Sequence, residues 1–499
     1  MTMKNKFIVT LISAFAVSAC TYDFPVKEEP SLGQTDFTKL VSVGNSFTAG
    51  FMDGALYTNS QNNSFPSIIA RQAKLLGGGD FSQPTINANN GCFNPGGGCT
   101  LGRLILKNPA SPGPVPTTGD GGASLEPYAG SKTALNNWGV PGVTIQTAQT
   151  PLLGGPLNAL FNPFYARMAS AAGTSTLIGD AAASMSNGGT FFTFWLGNND
   201  VLGYATGGAS NLAILTPQGI FQAAFNAALT TMLNANANAE GAVANIPNVT
   251  SIPFFSTINP LAFVVPSASR PALTAGIDQL NAAINGWNAG VDANPGLTDA
   301  QKTALRRPTL SKNFTRYAFI ILDTSLSDAS VPTPGGPFVI PKIRNANASD
   351  NLLICLTAGS DPAGLPGGMG ISPANPINEG AHDRFYLNPE EQTQIQTSID
   401  GFNATIASAV AAQASRLVLV DMNTVLKNVR AGTVSIGGSS FTASISPPFG
   451  AFSLDGVHPN PRGSAYIANQ FILAINSKWG AKIPLSNPND FVGNALPTP

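Results

Sequence analysis

The run Thr190-Phe191-Phe192-Thr193-Phe194-Trp195-Leu196 is aromatic-rich and nearly continuous in apolar character, and it stops at Gly197-Asn198-Asn199-Asp200. A strand of this kind needs cover on both faces, as in parallel sheets, rather than one dry and one wet face. Leu40 to Val43 and Leu417-Val418-Leu419-Val420 read the same way, and Val249 to Phe255 is expected to be a further strand. Helical patterns lie between them. Ser64 can cap a helix with Pro66 in its first turn, Ile68, Ile69, Leu75 and Leu76 as apolar faces, and Gly77 as its end. Thr216 and Pro217 open a second, in which Ile220, Phe221, Ala224, Phe225, Ala228, Leu229, Met232 and Leu233 recur at helical spacing. Asn388 and Pro389 open a third with Ile395, Ile399, Phe402, Ile406 and Val410 inward; Asn460 and Pro461 open a fourth with Ile467, Phe471, Ile472 and Ile475 inward. Strand, helix and strand in this rhythm predict an α/β fold, a parallel sheet with helices on both faces.

The 499 residues, 43% of them hydrophobic, are ample for a packed core. Charged residues are only 10% against about 25% in an ordinary soluble protein, and the formal net charge is -1. With no basic run to track phosphates, nucleic acid is not an expected partner. Four cysteines and two histidines, without a Cys-x-x-Cys pair or a close His pair, give no basis for a metal site, and no cofactor is expected. Gly, Pro and Asn dominate 77–130, where Cys92 and Cys99 close a short loop; a disulfide suits an exported chain, and free thiols are the alternative. A second irregular region follows residue 260. In it Asn281 to Val291 is expected to be a short helix, Tyr317 to Leu322 a strand, and Leu352 to Leu356 a lone apolar island. It can be a lid, a substrate-shaping unit or surface elaboration. Gly432 to Ile445 is expected to form a hairpin turning at Gly437-Gly438.

At the N-terminus Lys4 and Lys6 precede an apolar run from Phe7 to Val17. The layout is that of a secretory signal, too short for a membrane span of about 20 residues. Val17-Ser18-Ala19-Cys20 resembles the bacterial lipoprotein box. That resemblance implies that residues 1–19 are a removed signal peptide, that Cys20 is lipidated, and that the chain sits on a membrane in the cell envelope. A plain signal peptide with an incidental cysteine is the other reading. Thr21, where aspartate would favour the inner membrane, points by resemblance to the outer one, and 20–36, with Pro25 and Pro30, reads as a tether.

Gly44-Asn45-Ser46 presents one hydroxyl at a strand-ending corner, where an ordinary turn would use the same residues. Three more such corners follow in order: Asn137 with Gly142 five residues on, Gly197-Asn198-Asn199-Asp200, and Asp455-Gly456-Val457-His458-Pro459 with Gly463 beyond. Together they resemble the sequence blocks of the SGNH, or GDSL, hydrolase family. The resemblance implies a flavodoxin-like α/β/α sandwich with a five-stranded parallel sheet (the SGNH hydrolase fold) over 37–499, with large insertions near 77–130 and 260–385. It implies Ser46 as nucleophile, His458 as its base and Asp455 as the carboxylate that orients the imidazole. The oxyanion hole would be the backbone N–H groups of Ser46 and Gly142 and the side-chain amide of Asn199. Asp200 would hold its own turn. Asn45 departs from the family's usual aspartate, which weakens the first block as a signature. His382, in Gly380-Ala381-His382-Asp383-Arg384, imitates an Asp-His pair, but its surroundings match no block, so it is expected to be a loop histidine.

The implied activity is a serine esterase of carboxylesterase or lipase type, acting through an acyl-enzyme on a lipid, small-molecule or glycan ester, carbohydrate O-acetyl groups included. A lipoprotein that kept the fold for binding and lost the reaction is the rival. The lipoprotein reading carries its own test. Cys20→Ala is expected to move the protein from the membrane to the soluble fraction, and unchanged partition of that variant contradicts lipidation.

Overall fold

The computed structural model describes residues 29–499 apart from 94–98, 111, 121–125, 157, 262–263, 266 and 355–382. The leader, Cys20 and His382 therefore lie outside the described residues. The central sheet consists of β1 (Leu40–Gly44), β2 (Asn137–Gly139), β3 (Phe191–Trp195), β4 (Glu240–Ala244) and β5 (Leu417–Val420). Its spatial order is β5-β4-β3-β1-β2, and every neighbouring pair is parallel. That 2-1-3-4-5 order is compatible with a flavodoxin-like fold.

In chain order the helices that matter are α1 (Ser46–Ala49), α2 (Phe65–Lys74), α3 (Leu177–Ser186), α4 (Asn199–Thr206), α5 (Gln218–Ala235), α6 (Arg270–Ala293), α7 (Pro389–Ala411), α8 (Met422–Arg430) and α9 (Pro461–Trp479). Because successive side chains of a strand point to opposite faces, β3 divides its aromatics between two cores. Phe192 and Phe194 join α3, α5 and α7 on one side. Phe191 and Trp195 join α2 and α9 on the other, where Phe471 stacks on Phe65 with ring centroids 4.8 Å apart. Both layers are capped as their residues suggest. Asn388 forms a reciprocal box with Glu391, and Asn460 accepts from the Gly463 N–H. Ser64 does stand at the start of α2, but its hydroxyl donates to the Ser67 hydroxyl instead of capping the backbone.

One expected strand was misplaced. Val249 to Phe255 is a turn of 3-10 helix, Val249–Ser251, followed by the short helix Pro253–Ser256. Pro253 has no N–H for a ladder and a φ suited to a first helical turn. The strand lies earlier, in the Ala- and Gly-rich β4, whose residues are poor strand formers in isolation. Packing explains them: a Cβ on Gly241 would come within 2.5 Å of the Phe192 ring. In the region after residue 260, the short helix expected over Asn281 to Val291 is α6, much longer, and the expected strand is Ile320–Leu322, antiparallel to Ile343–Asn345 outside the main sheet. Leu273, Ile277, Tyr317 and Ile320 form a separate small core there. The Gly437-Gly438 turn does join two short paired segments, Ser435–Ile436 and Ser439–Ser440. Cys92 and Cys99 are joined by a disulfide.

Since Phe471 is fully buried between Phe65 and Trp195, Phe471→Ala is expected to lower unfolding stability by about 3–5 kcal/mol. Denaturant titration of both proteins measures this, and a loss below about 1 kcal/mol would mean that the two helices of that layer do not depend on the ring.

Candidate active site

The register of β1 decides what meets at its end. Gly44 lies beside Gly139 of β2 and Trp195 of β3, so the corners after these three strands are neighbours at the carboxyl edge of the sheet. Gly44 is needed for space and not for an unusual φ: a Cβ would sit 2.0 Å from Thr48 Oγ1 and 2.8 Å from the Trp195 carbonyl oxygen. Gly139 is equally crowded: a Cβ there would sit 2.1 Å from the Ala49 nitrogen. Asn137 fastens this contact, donating from Nδ2 to the Thr48 carbonyl at 2.9 Å. Ser46 thus opens a helix, in place of the loop its small neighbours suggest. Asn45 caps that helix by accepting from the Phe47 N–H at 3.0 Å, which needs an acceptor oxygen but no charge. Its Nδ2 is buried without a partner among the described residues.

His458 and Asp455 arrive on the loop before α9. His458 Nε2 stands 2.8 Å from Ser46 Oγ, and Nδ1 stands 2.9 Å from Asp455 Oδ2. Asp455 Oδ1 accepts the backbone N–H groups of Val457 and His458 at 2.8 and 2.9 Å, and Oδ2 accepts that of Gly54 at 3.0 Å. Burial pushes the Asp455 carboxyl up, but the His458 charge and these hydrogen bonds outweigh it and hold the group down at about 2. An ionised carboxylate can only accept, so Nδ1 carries a proton, and in the neutral ring Nε2 is left to accept from the serine hydroxyl. Phe47 and Phe51 flank the imidazole, with centroids 5.5 and 5.0 Å away.

The remaining donors hang together. Gly142 is exposed with φ +78, and its N–H, like that of Ser46 at the head of α1, has no acceptor among the described residues. Asn199 gives one amide hydrogen to the Val143 carbonyl at 2.9 Å, leaving the other for a ligand. Asp200 Oδ2 accepts the Ile145 N–H at 2.9 Å, so with the Asn199–Val143 bond the loop bearing Gly142 is tied to α4 twice, while Asp200 Oδ1 accepts the Thr216 hydroxyl at 2.9 Å. The residues expected for the triad and the oxyanion hole lie on the corner row or on the loop before α9, whereas Cys92 and Cys99 lie apart from them.

No known family model matches this chain, and no curated protein matches it either. A groove of about 1020 Å³ between α5 and α7 touches none of these residues. A smaller cavity of about 70 Å³ adjoins them, walled by Phe47 and Pro459, the chain neighbours of Ser46 and His458. No cluster of potential metal ligands occurs among the described residues. Sequence reasoning missed the strap that follows α1, Phe51 to Tyr57, which supplies Phe51 and the Gly54 N–H; the Asp53-Gly54 pair, a hairpin-turn signature, was the available signal.

Burial pushes Asp200 from 3.8 to about 7, against its hydrogen bonds. The folded protein then holds a proton that the unfolded chain releases between these values, so this group's contribution to stability falls as pH rises through about 4 to 7, by up to about 1.4 kcal/mol per pH unit. Asp200→Asn removes that dependence. Its stability relative to the parent, from denaturant midpoints, is expected to improve with rising pH across the window; a constant difference would contradict a buried, protonatable Asp200.

Proposed function

We propose that this chain is a serine ester hydrolase of the SGNH type. The observation that carries the reading is the continuous relay from Asp455 through His458 to Ser46, with gaps of 2.9 and 2.8 Å. His458 Nε2 takes the Ser46 proton as Oγ attacks the ester carbonyl. The oxyanion is met by the N–H groups of Ser46 and Gly142 and the free amide hydrogen of Asn199. The tetrahedral intermediate collapses as the imidazolium returns its proton to the leaving alcohol. Water, deprotonated by the same nitrogen, then releases the acid from the acyl-enzyme. The aromatic side chains of Phe47, Phe51 and Phe164 and the apolar cavity walled by Phe47 and Pro459 favour a hydrophobic ester, such as a lipid, over an acetylated sugar. Tethering through Cys20 would place the enzyme at a membrane surface, where such esters concentrate.

The roles differ in when they act, which makes them separable. Ser46→Ala is expected to abolish both turnover of a short-chain aryl ester and labelling by a fluorophosphonate, and His458→Ala to come close. Asn199→Ala is expected to lower kcat by roughly 10²–10³ with little change in KM. Asp455→Asn slows turnover by admitting the wrong imidazole tautomer, and His382→Ala is nearly silent. Full activity in Ser46→Ala, or equal losses in His382→Ala and His458→Ala, would overturn the assignment.

A further inference from the structure

Asp53 is a buried carboxylate that the relay does not use. Met52 and Ala55 exchange backbone hydrogen bonds of 3.0 and 2.9 Å, closing a turn whose central residues Asp53 and Gly54 have φ of 54° and 78°. Two consecutive positive φ values define the tight turn for which Asp-Gly is favoured. This turn grips the acid loop at three successive residues. The Asp53 N–H donates to Ser453 Oγ at 3.0 Å, the Leu454 N–H donates to Asp53 Oδ1 at 2.9 Å, and the Gly54 N–H donates to Asp455 Oδ2 at 3.0 Å. That last oxygen is the one facing His458 Nδ1. The grip has its own backing from the 77–130 stretch. Leu104 donates its N–H to the Asp53 carbonyl at 2.8 Å, Arg103 lies over the Tyr57 ring, and Tyr57 donates its hydroxyl to Asp53 Oδ2 at 2.9 Å. Phe93, next to the disulfide, covers Gly54 so closely that a Cβ there would be 2.4 Å from the ring.

We propose that Asp53 is a positioning residue for the Asp455–His458 pair, and that the segment carrying Phe93, Arg103 and Leu104 exists in part to hold it in register. The proposal rests on the serine-hydrolase reading for its catalytic consequence. Ser46 and His458 come from distant parts of the chain, so the direction of the imidazole depends on where the acid loop sits. A shift of the loop by about 1 Å is enough to cost on the order of 10² in rate. The groups facing Asp53 are Tyr57, Arg103 and Asp455, with His458 beyond Asp455. Burial pushes Asp53 up to about 6, with the Asp455 charge adding to the rise and the Leu454 bond, Tyr57 and Arg103 opposing it. Its charge is therefore lost in mild acid, beside the relay.

Asp53→Ala and Asp53→Asn in the full chain test this, with rates normalised to the fraction of active sites titrated by fluorophosphonate. Asp53→Ala is expected to lower kcat by about 10- to 100-fold with KM within about twofold. Asp53→Asn keeps an acceptor for Leu454 and should retain most of kcat, but the acidic limb of its kcat/KM profile should move to lower pH, because a negative charge beside the relay is gone. In proton NMR the downfield His458 Nδ1–H signal of the parent should disappear or shift in the alanine variant. Parent-like kcat per titrated site in Asp53→Ala, a loss confined to KM, or an unmoved acidic limb in Asp53→Asn would each overturn the proposal. If Asp53→Ala does not fold, the limb in Asp53→Asn decides. If the parent neither turns over esters nor reacts with the probe, the hydrolase reading fails, while the NMR comparison still tests the positioning role.

Discussion

The site depends on the close approach of the first helix to the ends of two strands. α1 presses its backbone onto Gly139 and its Thr48 side chain onto Gly44, leaving no room for a Cβ at either position. The Asn137 amide binds the Thr48 carbonyl and so keeps the contact shut. Any side chain at Gly44 or Gly139 would push the helix away and carry Ser46 with it. Loops elsewhere can vary at little cost, whereas this corner has no freedom because it is built from backbone against backbone.

Three carboxylates then divide the electrostatics among themselves. Asp53 and Asp200 are buried and Asp455 largely so, which raises each group's affinity for a proton, and the outcome is set by its partners. Asp455 accepts three backbone N–H groups and the imidazole and remains ionised down to about 2. Asp200 and Asp53 have weaker support and rise to about 7 and about 6. The signs with respect to pH are opposite: Asp455 stabilises the fold above its ordinary titration range and loses that contribution in strong acid, while the other two favour the fold as pH falls toward that range. The proposed role of Asp455, orienting an imidazolium, requires a carboxylate of the first kind.

Much of the fold was legible because its signals are local. Phe191 to Trp195 could only be a doubly covered strand, and the capped helices at Asn388 and Asn460 announce themselves by residue type and spacing. β4 was not legible. Its Glu-Gly-Ala-Val-Ala sequence is small because Phe192 fills the space above Gly241, a fact that exists only once β3 and β4 are side by side. The neighbouring Val249 to Phe255 looked better as a strand, being β-branched and aromatic, yet its Pro253 starts a helix.

Residue type and short-range spacing alone mark out the residues that could do chemistry: a serine two places after Gly44, an aspartate and histidine three apart, and small-residue corners in a set order. Periodicity likewise sets the α/β class. That Ser46 and His458 stand 2.8 Å apart follows from packing alone, because the contact joins the start of α1 to the loop before α9 and depends on the register of β1 against β2 and β3. Only the tertiary structure gave the 77–130 stretch a place, as the backing of the Asp53-Gly54 turn. Hydrogen bonds between backbone groups, such as Leu104 to Asp53, can be made by every residue type except a donating proline and so leave almost no trace in the sequence.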